Sequence, residues 1–212
     1  DEVIVPSFTY AATAEVVGLL GLVPVLVDVD KNTFNIRVED IENAISPKTR
    51  AIVPVHLFGQ GAAMESIMEI AERHSLYVIE DNAQALGAVY TFSDGTSRHL
   101  GTIGHIGCTS FFPTKNLGCY GDGGAIFTQD PKLAEKIRMV TDHGQKVKYF
   151  HDIIGCNSRL DTLQAAVLDI KLNHLDSYSN ARYSAARLYK ELLKGLPGIV
   201  LPAEAPESTH VY

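Results

Sequence analysis

The sequence predicts an α/β protein built on a mainly parallel sheet with helices on both faces. Short apolar runs recur along it: EVIVP, PVLVDV, AIVPV and LYVI. Runs of this length without polar alternation suit strands buried on both sides. Stretches with helical spacing lie between them, and that alternation is the mark of parallel βαβ units. The chain is 46% hydrophobic and 20% charged over 212 residues, enough for one substantial α/β core.

In order, Glu2 to Pro6 reads as a strand, Ser7 to Tyr10 as a loop and Ala11 to Leu20 as a helix. Pro24 to Val29 is the next strand, and Val38 to Ile45 is a short helix stopped near Pro47. Ala51 to Val55 is a strand, followed by a loop from His56 to Gly61. His56 stands at a strand end and is given no chemistry. Met64 to His74 places Ile67, Met68, Ile70 and Ala71 on one helical stripe. Leu76 to Ile79 is a strand that ends before Glu80 and Asp81.

Tyr90 to Gly107 breaks the rhythm. Ser93-Asp94-Gly95 is a turn signal, so a hairpin-like excursion is expected. Gly101, Gly104 and Gly107 do not match GxGxxG, so no dinucleotide fingerprint is supported. Gly107 to Phe112 and Ala125 to Thr128 read as strands. Asp130-Pro131 opens a helix that runs to about Asp142. His143 to Asn157 reads as an irregular loop. Leu160 to Leu193 reads as two helices with a break near Asn173 to Asp176.

Two stretches carry chemistry. In CTSFFPTKNLGCYGDGGAIFT, one lysine, Lys115, lies between an apolar strand and Gly118, Gly121, Gly123 and Gly124. Four glycines in seven residues mean a tight loop or close approach of backbone to a ligand. A lysine held there is partly desolvated and suited to Schiff-base chemistry. Taken alone, it reads more readily as a solvated loop lysine, because most lysines are exposed. In YVIEDNAQALGA, Asp81 stands at the carboxyl end of a strand, where open α/β sheets bind ligands. Taken alone, it is equally a helix cap. A lysine and a carboxylate together have one well-known use. Pyridoxal phosphate (PLP) needs a lysine for its Schiff base and an acid beside its pyridinium nitrogen.

Other classes fit poorly. A net charge of -7 argues against nucleic acid. No apolar run reaches membrane-spanning length and no signal peptide is visible, so no membrane partner is expected. Cys108, Cys119 and Cys156 form no CxxC and read as reduced thiols of a cytoplasmic protein. His105 and Cys108 lack a second ligand pair, so no metal site is expected.

VIEDNAQALGA and TSFFPTKNLGCYGDGGAIFT resemble the two signatures of the DegT-type sugar aminotransferases, PLP enzymes of the aspartate-aminotransferase fold (fold type I). SFTYAATAE, LGCYGDGGAIF, DHGQ and NSRLDTLQAA are most similar to the branch acting on UDP-2-acetamido-2-deoxy-3-oxo-glucuronate. The resemblance implies that Lys115 holds PLP and Asp81 meets its ring nitrogen. It implies that Tyr10 stacks on the ring, Gln84 lies near the phenolic oxygen and Ser110 binds the phosphate. Asn157 is implied to reach the phosphate of the neighbouring subunit's cofactor, so a homodimer is expected. Arg159 is the expected partner for an anionic substrate group.

The implied reaction moves an amino group from an amino acid, by analogy glutamate, to a nucleotide-linked keto sugar. Alternatives are a 4-keto-sugar aminotransferase and a non-catalytic remnant of the fold. A dehydratase of the same fold replaces the lysine, so Lys115 argues against it. Residues 1–170 are expected to form the large PLP-binding domain. Residues 171–212 are expected to be a linker helix and the start of a smaller domain. The resemblance also implies that the chain lacks an N-terminal phosphate-binding segment and most of a C-terminal domain.

Overall fold

The computed structural model describes residues 1–212. Its centre is a six-stranded sheet. The strands are β1 (Glu2–Pro6), β2 (Val23–Val27), β3 (Thr49–Ile52), β4 (Tyr77–Asp81), β7 (Ile106–Ser110) and β8 (Gly124–Phe127). Between β4 and β7 runs a small antiparallel hairpin, β5 (Val89–Thr91) and β6 (Ser97–His99), as the turn signal predicted. The sheet order is β2-β1-β3-β4-β7-β8. All neighbours pair parallel except β7 with β8, which is antiparallel.

Alternation along β1 sets the layers. Val3 and Val5 point to one face and Ile4 to the other. Val3, Val5 and Ala51 pack with Val17 of α1 (Ala12–Leu19). Ile4, Ile52 and Val78 join the main core on the opposite face. There Ile41 of α2 (Val38–Ala44) and Ile67 and Ile70 of α3 (Met64–Arg73) complete it. Helices therefore cover both faces, as predicted.

Helix α4 (Pro131–Thr141) starts where the Asp-Pro pair said it would. The Asp130 side chain accepts from the N–H groups of Lys132 (2.7 Å) and Leu133 (3.4 Å), and Pro131 needs no such bond. Helices α5 (Thr162–Leu172) and α6 (Leu175–Leu193) are separated at the expected break. Leu168 and Leu175 pack on Phe111, Leu117 and Cys119 in a smaller cluster.

Several boundaries differ from expectation. β3 ends at Ile52, because Pro54 has no N–H to continue the ladder. Val55 returns only as an isolated bridge to Asp81. β2 ends at Val27, and Val29 bridges Ile36 instead. The stretch His143 to Asn157 holds a hairpin of β9 (Gln145–Val147) and β10 (Phe150–His151). Strands of three and two residues are too short to show a period, so the sequence hides them.

Residues beyond α6 return to the sheet. Gln60 binds both Ala203 and Ala205, Gly61 N–H donates to Ser208, and Val211 enters the main core.

Candidate active site

A cleft of about 520 Å³ opens at the carboxyl ends of β1, β3, β4 and β7. This is where parallel sheets bind ligands. Thr9, Tyr10 and Ala12 line it from the β1 loop, with Val55 after β3 and Asp81, Ala83 and Gln84 after β4. Ser110, Phe112, Thr114, Lys115 and Asp122 close it from the β7 side. Five of the seven expected site residues thus share one cavity: Tyr10, Asp81, Gln84, Ser110 and Lys115. Asn157 and Arg159 lie outside it. They are exposed and bound to each other, with Arg159 Nε donating to Asn157 Oδ1 at 2.9 Å.

The hydrogen bonds leave specific groups free. Asp81 Oδ1 accepts from the Ala83 N–H (3.1 Å) and Oδ2 from the Thr13 hydroxyl (2.7 Å). Asp81 therefore closes a local turn and caps no helix. Gln84 Oε1 accepts from the Phe58 N–H at 2.7 Å, which leaves the amide N–H groups to donate. Ser110 Oγ accepts from the Phe112 N–H at 3.2 Å, which leaves its O–H to donate. Lys115 is half-buried, in a turn closed by its N–H to the Phe112 carbonyl (2.9 Å). Tyr10 is 77% exposed, so its ring lies at the surface of the cleft.

The glycine cluster serves close packing within the chain. A Cβ on Gly118 would lie 2.5 Å from the Pro113 carbonyl oxygen, and one on Gly124 would lie 2.6 Å from that of Thr109. One on Gly123 would meet Leu160 at 2.8 Å. From α5, Gln164 Oε1 accepts the Tyr120 N–H (2.8 Å) and Lys171 Nζ donates to the Gly118 carbonyl (2.6 Å). The loop after Lys115 is thus held from behind.

Sequence reading missed a buried carboxylate behind the site. Glu80 and His56 are both 0% exposed and meet at 2.9 Å. His56 Nδ1 accepts the Ala62 N–H (3.2 Å), so its proton sits on Nε2 and points at Glu80. Glu80 also accepts from Gly101 (2.7 Å), Ile103 (2.7 Å) and Gly104 (2.6 Å). Burial pushes the Glu80 carboxyl up, but the His56 bond and the Gly104 and Gly101 N–H groups outweigh it and hold it below the usual range. Burial and the nearby Asp81 push the Cys108 thiol up to about 11, so it stays neutral. The signal for Glu80 was present as the Gly101, Gly104 and Gly107 spacing. A Cβ at Gly104 would meet the Val78 carbonyl at 2.9 Å, and one at Gly107 the Gly101 carbonyl at 1.9 Å.

The cavity's donor set fits PLP. It offers one amine, Lys115, two carboxylates, Asp81 and Asp122, the Tyr10 and Phe112 rings, and hydroxyl and amide donors. No helix of the protein is long and apolar enough to cross a membrane.

Known proteins share this sequence and this fold. The profile of the DegT/DnrJ/EryC1/StrS aminotransferase family matches residues 1–212. The chain is 49% identical, over 100% of its length, to 57% of the UDP-2-acetamido-2-deoxy-3-oxo-D-glucuronate aminotransferase of Pseudomonas aeruginosa. It is 47% identical, again over 100% of its length, to 55% of the dTDP-3-amino-3,4,6-trideoxy-alpha-D-glucose transaminase of Streptomyces venezuelae. The crystal structure of S. venezuelae DesV in complex with a ketimine intermediate superposes with a TM-score of 0.94 at 48% identity, covering 100% of this chain and 56% of that one. The chain therefore spans a little over half the length of the relatives it matches. By sequence profile, relatives and fold alike, it belongs to the DegT/DnrJ/EryC1/StrS aminotransferase family.

Proposed function

We propose that this chain carries the cofactor site of a PLP-dependent sugar nucleotide aminotransferase. The reaction moves an amino group from an amino acid donor, glutamate, to a nucleotide-linked keto sugar. The acceptor is a UDP-3-keto-glucuronate derivative, and the product serves amino-sugar and surface polysaccharide biosynthesis. The observation that carries this reading is the convergence of Lys115, Asp81, Tyr10, Gln84 and Ser110, from separate segments, on one cleft. Two relatives whose names place nitrogen or a keto group at sugar carbon 3 support the acceptor.

Each residue has one task. PLP, when bound, supplies the electron sink. The Lys115 amine would hold the cofactor and would serve as the base and acid that moves a proton at the donor carbon. Asp81 would meet the ring nitrogen through the lone pairs that Thr13 and Ala83 leave open. Tyr10 would cover one ring face, the free Gln84 amide would donate toward the phenolic oxygen, and the free Ser110 O–H would donate to phosphate.

Asn157 acts across a dimer, and Arg159 serves the substrate. Asn157 reaches the partner's cofactor phosphate, and Arg159 meets an anionic group of the substrate. Support comes from their surroundings. Val147, Tyr149, Phe150 and Ile154, in the segment that precedes them in the chain, are all exposed, and apolar surface of this kind favours a protein partner. The three free cysteines favour a cytoplasmic setting.

Borohydride reduction with PLP tests the reading. A reduced adduct should map by mass spectrometry to Lys115 and vanish in Lys115→Ala. An adduct kept by the variant, or mapped to Lys132, would refute it.

A further inference from the structure

We propose that Thr13 is a positioning residue that fixes the plane of the Asp81 carboxylate against the Tyr10 loop. The inference rests on the reading of Asp81 as the partner of the ring nitrogen.

Thr13 lies in the first turn of α1 and is 6% exposed. A threonine in a helix ordinarily turns its hydroxyl to solvent or to a carbonyl one turn back. Here the hydroxyl crosses to another element and donates to Asp81 Oδ2 at 2.7 Å, 68 residues away in sequence. Its backbone N–H meanwhile donates to the Tyr10 carbonyl at 3.3 Å. One residue therefore ties the loop that carries the exposed ring to the strand end that carries the carboxylate.

The Asp81 backbone is already fixed. Its N–H donates to Pro54 (2.9 Å) and its carbonyl accepts from His56 (3.0 Å). What remains free is rotation of the carboxylate. The Ala83 N–H alone defines one oxygen, and a single anchor leaves the plane undetermined. Thr13 supplies the second anchor. A hydroxyl does this without adding charge. The other titratable groups near Asp81 are the neutral Cys108 thiol, Glu80 and His56 behind the site, and Tyr10, Lys115 and Asp122 in the cleft. None of these donates to its carboxylate.

The test compares Thr13→Val, Thr13→Ser and Asp81→Asn with the unaltered protein. Three quantities are measured: PLP affinity by titration, the pH midpoint of the bound cofactor's visible absorbance, and the melting temperature without PLP. Thr13→Val keeps the shape and loses the donor. It should bind PLP about tenfold more weakly, the scale of one hydrogen bond to a charged group, and move the absorbance midpoint. Its cofactor-free melting temperature should stay close to that of the unaltered protein. Thr13→Ser should restore both cofactor readouts. Should the valine variant fail to fold, Thr13→Ala against Thr13→Ser gives the same contrast. If Asp81→Asn changes both readouts while Thr13→Val changes neither, the positioning role is wrong and Asp81 keeps its own. If Asp81→Asn changes neither, the reading of Asp81 falls and the proposal with it. A loss shared equally by the serine and valine variants would mean packing alone, and would also overturn it.

Discussion

Replacing Glu80 by Gln changes one atom and should remove a large share of the stability of the fold. Glu80 Oε1 accepts from Ile103 and Gly104, and Oε2 accepts from Gly101 and the His56 Nε2–H. An amide can accept at one end only. Whichever way the Gln turns, its NH2 faces two buried donors. Moving the His56 proton to Nδ1 relieves one clash but sets it against the Ala62 N–H. Breaking a buried hydrogen-bonded pair of this kind costs about 3–5 kcal/mol, against a typical net stability of about 5–15 kcal/mol. With a urea slope of about 2–3 kcal/mol/M, the unfolding midpoint should fall by about 1–2.5 M. Equilibrium unfolding followed by circular dichroism reads this directly. The difference also depends on pH. The Glu80 carboxyl is held below its ordinary value in the folded protein. Its contribution is fully present above the unfolded carboxylate pKa of about 4.3. It is lost as pH falls through the lower folded value. The gap between wild type and Glu80→Gln should therefore narrow below about pH 4. A midpoint shift under about 0.3 M at neutral pH would refute the account of Glu80 as the acceptor that holds the 101–104 loop.

On the proposed function, Asp81→Asn should keep the fold, bind PLP more weakly and lower transamination by several orders of magnitude. Steady-state rates within about tenfold of wild type, about 1.4 kcal/mol of barrier, would contradict its role at the ring nitrogen. Gly107→Ala should destabilise by about 1–3 kcal/mol or more, since its Cβ would lie 1.9 Å from the Gly101 carbonyl. A melting temperature equal to wild type would show that the 101–104 loop moves aside freely.

The two carboxylates of the Glu80-Asp81 pair separate what the sequence determines from what the structure adds. An apolar run ending in polar residues marks a parallel strand and its ligand-binding end, so β4 and Asp81 were legible. The same local logic gave the α4 cap and the break between α5 and α6. The signature around Lys115 likewise placed one lysine beside a strand. Neighbouring side chains on a strand leave on opposite faces, so Glu80 and Asp81 had to part. Their destinations depend on partners far along the chain. Glu80 goes to His56 and the 101–104 loop, and Asp81 to Thr13 of α1. The glycine cluster shows the same division. Its crowding was readable as a tight approach, but not that the approaching atoms belong to Pro113, Thr109 and Leu160 of the same chain. Local propensity and period act over a few residues and fix strands, helices and turns. The hydrogen bonds that tie Asp81 to Thr13 and Gln84 to Phe58, and those that satisfy Glu80, form only when the sheet order β2-β1-β3-β4-β7-β8 brings distant segments together.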